Sequence, residues 1–113
     1  MKTHVALITG AARRIGAAIA RDLSSKKWRV IVHYHQSEAE ALSLSDEIRN
    51  RGGLCETIRA DLRDRDDIEN LVPRCVERFG TIDCLINNAA FFSYDNIETL
   101  EWDLWNRHIA TNL

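Results

Sequence analysis

Short apolar runs and amphipathic stretches take turns along this chain, and that alternation constrains its fold more than any other feature. Val5-Ala6-Leu7-Ile8-Thr9 is almost wholly apolar and is closed by Gly10, the pattern of a strand buried on both faces. Ile15, Ile19 and Leu23 then recur at four-residue spacing with Ala17, Ala18 and Ala20 between them. They predict a helix that fades at Ser24-Ser25-Lys26-Lys27, where cations suit a helix C-terminus. Trp28 to Tyr34, centred on Val30-Ile31-Val32, is a second strand. Ser37 is placed to cap a second helix, with Glu38 and Glu40 in its first turn and Ala41, Leu44 and Ile48 as its apolar stripe. Asn50-Arg51-Gly52-Gly53 ends that helix with residues that tolerate a left-handed backbone, and Leu54 to Ala60 is the third strand.

Asp64 can cap a third helix in which Ile68, Leu71, Val72, Cys75, Val76 and Phe79 form the cleanest amphipathic pattern of the chain. Pro73 falls in its middle. The missing N–H and the ring clash predict either a bend there or a break, at about 3 kcal/mol if the helix continues. Gly80 stops it, Ile82 to Asn87 is a fourth strand, and residues 89–96 are a loop. Thr99 or Glu101 opens a last helix carrying Leu100, Leu104, His108 and Asn112. Four strands alternating with four helices predict an α/β fold: a doubly wound, mostly parallel sheet whose ligand site lies at the carboxyl edge.

The 113 residues are expected to form part of one such domain, spanning 1–113. Fifteen Lys and Arg against seventeen Asp and Glu leave a net charge of -2, so no global basic field draws in nucleic acid or an anionic membrane. The opening apolar run is too short for a signal-peptide core or a membrane span, which predicts a cytoplasmic protein. Cys55, Cys75 and Cys84 have no CxxC spacing and an odd count. They argue against a disulfide framework and against a metal site, and read as small buried hydrophobes.

The turn after the first strand is Thr9-Gly10-Ala11-Ala12-Arg13-Arg14-Ile15-Gly16, whose glycines stand six apart without the G-x-G-x-x-G fingerprint. It still has what a phosphate site needs. Gly10 permits a tight strand exit, the two alanines let a ligand approach the backbone, and a helix N-terminus offers free N–H groups. Arg13 and Arg14 would oppose the helix dipole by roughly 0.3–1 kcal/mol each unless an anion is bound there. After the second strand, His33-Tyr34-His35-Gln36-Ser37 lacks the acid that would hold a ribose 2′-hydroxyl, and offers donors for a 2′-phosphate instead. NADP(H) is therefore expected over NAD(H).

Thr9-Gly10-x-x-x-x-x-Gly16, Asp61-Leu62 after the third strand and Asn87-Asn88-Ala89-Ala90 after the fourth, in that order, resemble the short-chain dehydrogenase/reductase family. Arg14 at the second glycine of the first motif, with a basic residue before it, and His33-Tyr34-His35-x-Ser37 look most like its pteridine reductases. The resemblance implies the cofactor-binding part of a Rossmann-type fold and an oxidoreductase that passes hydride from NADPH to a pterin or carbonyl substrate. It would place Thr9, Gly10, Arg13, Arg14, Ile15 and Gly16 along the pyrophosphate and adenosine ribose, with Arg14 also toward the substrate. His35 and Ser37 would meet the 2′-phosphate, Asp61 the adenine amino group, and Leu62 the side of the adenine. Asn88 and Ala89 would follow the ribose, Phe92 would stack on a pterin, and Asn112 would support the proton relay. Ala90 stands where pteridine reductases usually carry a serine, and Gln36 where an arginine is common.

The family's Tyr-x-x-x-Lys pair does not occur, since Tyr34 is followed four residues on by Glu38 and Tyr94 by Glu98. On this reading the chain alone is expected to be inactive, with Asn112 the one member of the relay present. The alternative is a non-catalytic NADP(H)-binding module or decayed enzyme. The strand order 3-2-1-4 that the resemblance implies would leave the fourth strand as an apolar edge and Trp102, Leu104, Trp105 and Ile109 as an uncovered face. Self-association, or pairing with a complementary C-terminal part, is the expected consequence.

Overall fold

A computed structural model describes residues 4–88, in which strands and helices alternate. The elements are β1 (Val5–Ile8), α1 (Arg14–Ser25), β2 (Arg29–Tyr34), α2 (Glu38–Asn50), β3 (Cys55–Arg59), α3 (Arg65–Phe79) and β4 (Cys84–Ile86). All strand pairs are parallel, as the alternation of strands and helices predicts, and the sheet order is β3-β2-β1-β4, the order that the family resemblance implies. Val5 to Ile8 pair with Arg29 to Val32 on one side, and Ala6 to Ile8 with Cys84 to Ile86 on the other. The chain thus reverses its direction of growth at β1, which makes the carboxyl end of β1 the switch point of the sheet.

Burial explains why the strand sequences are apolar runs rather than alternations. All four residues of β1 are buried, as are the four central residues of β2. One face of the sheet packs Val5, Leu7, Ile31 and Ile58 against Ile68, Leu71, Val72 and Cys75 of α3. The other packs Ile8, Val30 and Val32 against Ala17 and Ala20 of α1 and Ala41, Leu44 and Ile48 of α2. Helices on both faces oblige every interior strand position to be apolar.

In α1 the buried residues are Gly16, Ala17 and Ala20, while Ile15 is 69% exposed and Ile19 and Leu23 only pack at the margin. The expected stripe of Ile15, Ile19 and Leu23 is therefore corrected. With about 100° between successive residues, a helix that turns 16, 17 and 20 inward carries residue 15 away from the sheet. Small residues on the inner face let α1 lie close to the strands. Ser37 occupies the N-cap position of α2, but its side chain caps no backbone N–H. Lys26 and Lys27 follow α1, whose last turn holds no cation.

Asp64 caps α3 as expected, its Oδ1 accepting the N–H groups of Asp66 at 2.9 Å and Asp67 at 3.2 Å. Gly80 ends it in the left-handed region at φ 84°. No break occurs at Pro73, and α3 is continuous from Arg65 to Phe79. Ile68, Leu71 and Val72 before the proline and Cys75 after it are all buried. At about 1.5–3 kcal/mol for each buried aliphatic side chain, they outweigh one lost hydrogen bond and a ring clash. Asp83 locks the entry to β4, its N–H donating to the Val5 carbonyl and its Oδ2 accepting the Val5 N–H, both at 2.8 Å.

The expected loop at 89–96, the last helix and its face of Trp102, Leu104, Trp105 and Ile109 lie outside the described residues. So do Ala89, Ala90, Phe92 and Asn112. Cys55 and Cys75 are buried, Cys84 is half-buried and all three are free. Burial pushes each thiol up, that of Cys75 to about 12. Among the described residues no group of three or more His, Cys, Asp or Glu is placed to hold a metal ion, and no helix is long and apolar enough to cross a membrane.

Candidate nucleotide-binding site

The loops after β1, β2, β3 and β4 meet at the carboxyl edge of the sheet. Thr9 is fully buried, and its N–H donates to the Ile86 carbonyl at 3.0 Å. Its hydroxyl lies 3.1 Å from Asn87 Oδ1 and accepts the Asn88 N–H at 2.9 Å. Gly10 follows at φ 60°, a backbone that glycine adopts without cost, and its carbonyl accepts from Asn88 Nδ2 at 3.2 Å. Hydrogen bonds therefore tie the turn after β1 to the end of β4.

Gly16 is needed for closeness rather than for its torsion. A Cβ there would meet Asn88 Nδ2 at 2.6 Å, Ala11 Cα at 2.7 Å and the Gly10 carbonyl oxygen at 2.8 Å. Arg13 is the N-cap of α1 with an extended backbone and no side-chain cap, and no acid stands in the first turn. Arg14 begins the helix at φ 56°. That is the left-handed region which glycine prefers, so the arginine is held at a strain of about 1–2 kcal/mol. Arg13, Arg14 and Ile15 are all exposed, and neither arginine makes an ion pair with a described residue. The N–H groups of Arg14, Ile15 and Gly16 have no earlier helical carbonyl to reach; the first helical bond is Ala17 N–H to Arg13 O at 3.4 Å. Positive charge, free donors and a close backbone approach coincide here, which suits an anionic diphosphate.

At the end of β2 the structure brings His35 to Asp61, with Nε2 to Oδ2 at 3.7 Å. Asp61 Oδ1 accepts the Arg63 N–H at 3.0 Å and lies 3.3 Å from its Nε. Those bonds from Arg63, with its charge and that of His35, hold the Asp61 carboxyl below its ordinary value. The Asp61 N–H in turn donates to Asp67 Oδ2 at 2.8 Å, which fixes the turn after β3 against the start of α3. Ser37 is half-buried and its hydroxyl is not spent on capping. Glu38, the first acid after β2, sits in the first turn of α2 with its Oε2 3.5 Å from the Tyr34 hydroxyl. Leu62 is 8% exposed and its side chain joins the core beneath α3, leaving only an edge for a ligand.

His33 had no role beyond its place in a motif, yet it is 2% exposed and stands at the centre of these loops. Its Nδ1 accepts the Gly10 N–H at 2.9 Å, and its Nε2 faces the Ala60 carbonyl at 2.9 Å. A polar side chain at the carboxyl end of an otherwise apolar strand was the available signal. A separate groove of about 380 Å³, lined by residues such as Arg21, Trp28, Glu47 and Arg51, opens where β2 and β3 begin, at the opposite edge. It contains none of the site residues.

The family model described as short chain dehydrogenase matches residues 4–113. This chain belongs to the short-chain dehydrogenase family. Its described part corresponds to the nucleotide-binding region of that family's fold. It is 37% identical over 108 residues to a versicolorin reductase of Emericella nidulans, covering 96% of this chain and 41% of that protein. It is 33% identical over 111 residues to a 3-oxoacyl-(acyl-carrier-protein) reductase of Staphylococcus aureus, covering 98% and 45%. The chain thus spans less than half the length of the curated relatives it matches. A short-chain dehydrogenase/reductase from Serratia marcescens superposes with a TM-score of 0.82 at 27% identity, covering 93% of this chain and 50% of that one. The alternative dihydrofolate reductase 1 of Brucella suis, solved in complex with NADP, gives 0.73 at 38% identity, covering 92% and 43%.

Proposed function

We propose that this short-chain dehydrogenase chain binds NADP(H) in preference to NAD(H) and serves a pteridine-reductase-like reductase acting on a pterin or carbonyl compound. The observation that carries the cofactor choice is the corner after β2. His35-Gln36-Ser37 carries no carboxylate to hold a ribose 2′-hydroxyl: the first acid after β2, Glu38, already lies in the first turn of α2 beside Tyr34, and Asp61 follows β3. Donors fill the corner instead. His35, the uncommitted hydroxyl of Ser37 and the exposed Arg13 suit a 2′-phosphate. The Brucella suis relative's complex with NADP supports the same reading.

The residues present fit such a cofactor. Arg14, Ile15 and Gly16 offer N–H groups at the start of α1, and bare Gly16 leaves room for close approach. Asp61 and the edge of Leu62 would meet the adenine, and Asn88 and Ala89 would follow the ribose. When bound, NADPH supplies the hydride. Binding and orientation would be the work of this chain's own residues; Arg14 would face the substrate, and the family resemblance gives Phe92 a substrate role and Asn112 a role in the proton relay.

Titration of the chain with NADPH and NADH, followed by melting temperature and nicotinamide fluorescence, tests this. Saturation at about 100 times Kd adds roughly 2.7 kcal/mol, a shift on the order of 10 °C for a chain of this size. NADPH is expected to give it at lower concentration than NADH, and Arg14→Ala to weaken it. No shift with either cofactor, or a preference for NADH, overturns the reading. Oxidation of NADPH by this chain alone with dihydrobiopterin or a quinone would overturn the expectation that it is inactive by itself, and would exclude the non-catalytic module.

A further inference from the structure

His33 spends two of its own polar groups on consecutive amides of the turn after β1. Its imidazole Nδ1 accepts the Gly10 N–H at 2.9 Å, and its backbone carbonyl accepts the Ala11 N–H at 3.0 Å. On its far side Nε2 faces the Ala60 carbonyl at 2.9 Å, the last residue before Asp61. The partners fix the proton: an amide can only donate and a carbonyl can only accept, so Nδ1 is bare and Nε2 carries the hydrogen. One buried neutral ring therefore links the ends of β1, β2 and β3.

We infer that His33 is the positioning residue of the nucleotide site, setting the turn after β1 so that the amides of Arg14, Ile15 and Gly16, and not those of Gly10 and Ala11, face the diphosphate. The inference rests on the reading that this loop binds NADP(H). Its physical basis is the accounting of donors. A buried N–H without a partner costs about 1–3 kcal/mol, so a turn that lost the Nδ1 acceptor would rotate the Gly10 amide toward solvent or ligand. Gly10 has the torsional freedom to do so, and α1 begins only four residues later. His33 acts through that turn and touches no reacting atom.

Two substitutions separate its links. His33→Asn puts an amide oxygen near the position of Nδ1 and keeps an acceptor for Gly10 while giving up Ala60. His33→Gln puts an amide nitrogen near Nε2 and keeps a donor for Ala60 while giving up Gly10. In the full chain, His33→Gln is expected to lose hydrogen-exchange protection at the Gly10 amide. It should also raise the NADPH Kd about five- to tenfold, the scale of one hydrogen bond, while His33→Asn stays within about twofold. Exchange at the Leu7 and Ile31 amides reports whether each variant is folded. A merely structural histidine would lower the melting temperature of both variants without this split. Equal NADPH affinity in the two variants, or a freely exchanging Gly10 amide in the unsubstituted chain, overturns the inference. Should the unsubstituted chain bind no NADPH, the functional reading falls, and the contrast in Gly10 exchange still decides whether His33 holds the turn.

Discussion

The side-chain amide of Asn88 donates to the carbonyl of Gly10 at 3.2 Å, across 78 positions of sequence, and the same amide nitrogen would lie 2.6 Å from a Cβ on Gly16. The three residues bring the end of β4, the exit of β1 and the first turn of α1 to one point. Gly16→Ala tests that junction. Helix propensity alone favours alanine by about 1 kcal/mol. Two of the three close approaches, however, are to the backbone of Gly10 and Ala11, which cannot swing aside as a flexible side chain would. Overpacking of this kind costs about 1–3 kcal/mol and should outweigh the propensity gain. Urea denaturation is expected to show a net loss, with weaker NADPH binding; a more stable Gly16→Ala chain would mean that the approach is looser.

Arg14 presents the opposite case, a residue that the backbone disfavours. Its φ of 56° costs about 1–2 kcal/mol, and its charge opposes the α1 dipole by roughly 0.3–1 kcal/mol. Glycine relieves both at an unfolded-state entropy cost of about 0.4–1 kcal/mol. Arg14→Gly is therefore expected to raise the denaturation midpoint while weakening NADPH binding, most visibly at low salt. Stability and affinity that fall together would show that the arginine is structural.

The strands themselves, the Asp64 cap and the Gly80 stop were legible because each depends on local pattern: apolar runs, a short acid before a helix, a glycine at its end; the order of the strands in the sheet came only with the family resemblance. The misplaced stripe of α1 shows the limit of such patterns. Ile15 has the right spacing to Ile19, but the inward direction is set by how closely Gly16 approaches Gly10 and Ala11, which periodicity does not encode. Ser37 is similarly a cap by type and position whose side chain caps nothing. His33 was least legible of all. Its partners, Gly10 and Ala60, lie 23 and 27 residues away and meet it only through the β3-β2-β1 order.

Burial, the largest influence, together with the charge of His35, lowers the pKa of His33 from its ordinary 6.5, while the bond to Ala60 acts in the opposite direction. Around the ring, β2 contributes His35. Asp61 follows Ala60 on the β3 side and is engaged by Arg63, and the β1 turn contributes the exposed Arg13 and Arg14. Above 6.5 the imidazole is neutral in both folded and unfolded chains and adds no pH dependence. As pH falls below 6.5 the unfolded chain takes up a proton that the folded chain resists, so stability should decline until the lower folded pKa is reached. Asp61, lowered from 3.8, contributes stability that is lost only at still lower pH. Urea midpoints between pH 8 and about 5 should therefore fall, and His33→Asn should flatten that slope. An unchanged slope would assign it to another group.

Pro73 sits nine residues into a continuous α3, where it supplies no N–H to the carbonyl of Glu69. An interior proline costs a helix about 3 kcal/mol relative to alanine. Replacing it forfeits about 0.4–1 kcal/mol of unfolded-state restriction. Pro73 is half-buried, so alanine also gives up some apolar contact. The backbone gain exceeds both losses only if α3 already holds its helical path through residue 73, because a helix that had bent to accommodate the ring would have to straighten first. Pro73→Ala is thus expected to stabilise the chain by about 1–2 kcal/mol, read as a higher urea midpoint with unchanged slope. A neutral or lower midpoint would mean that the neighbouring turns have adapted to the proline and that its ring contributes packing which alanine cannot replace.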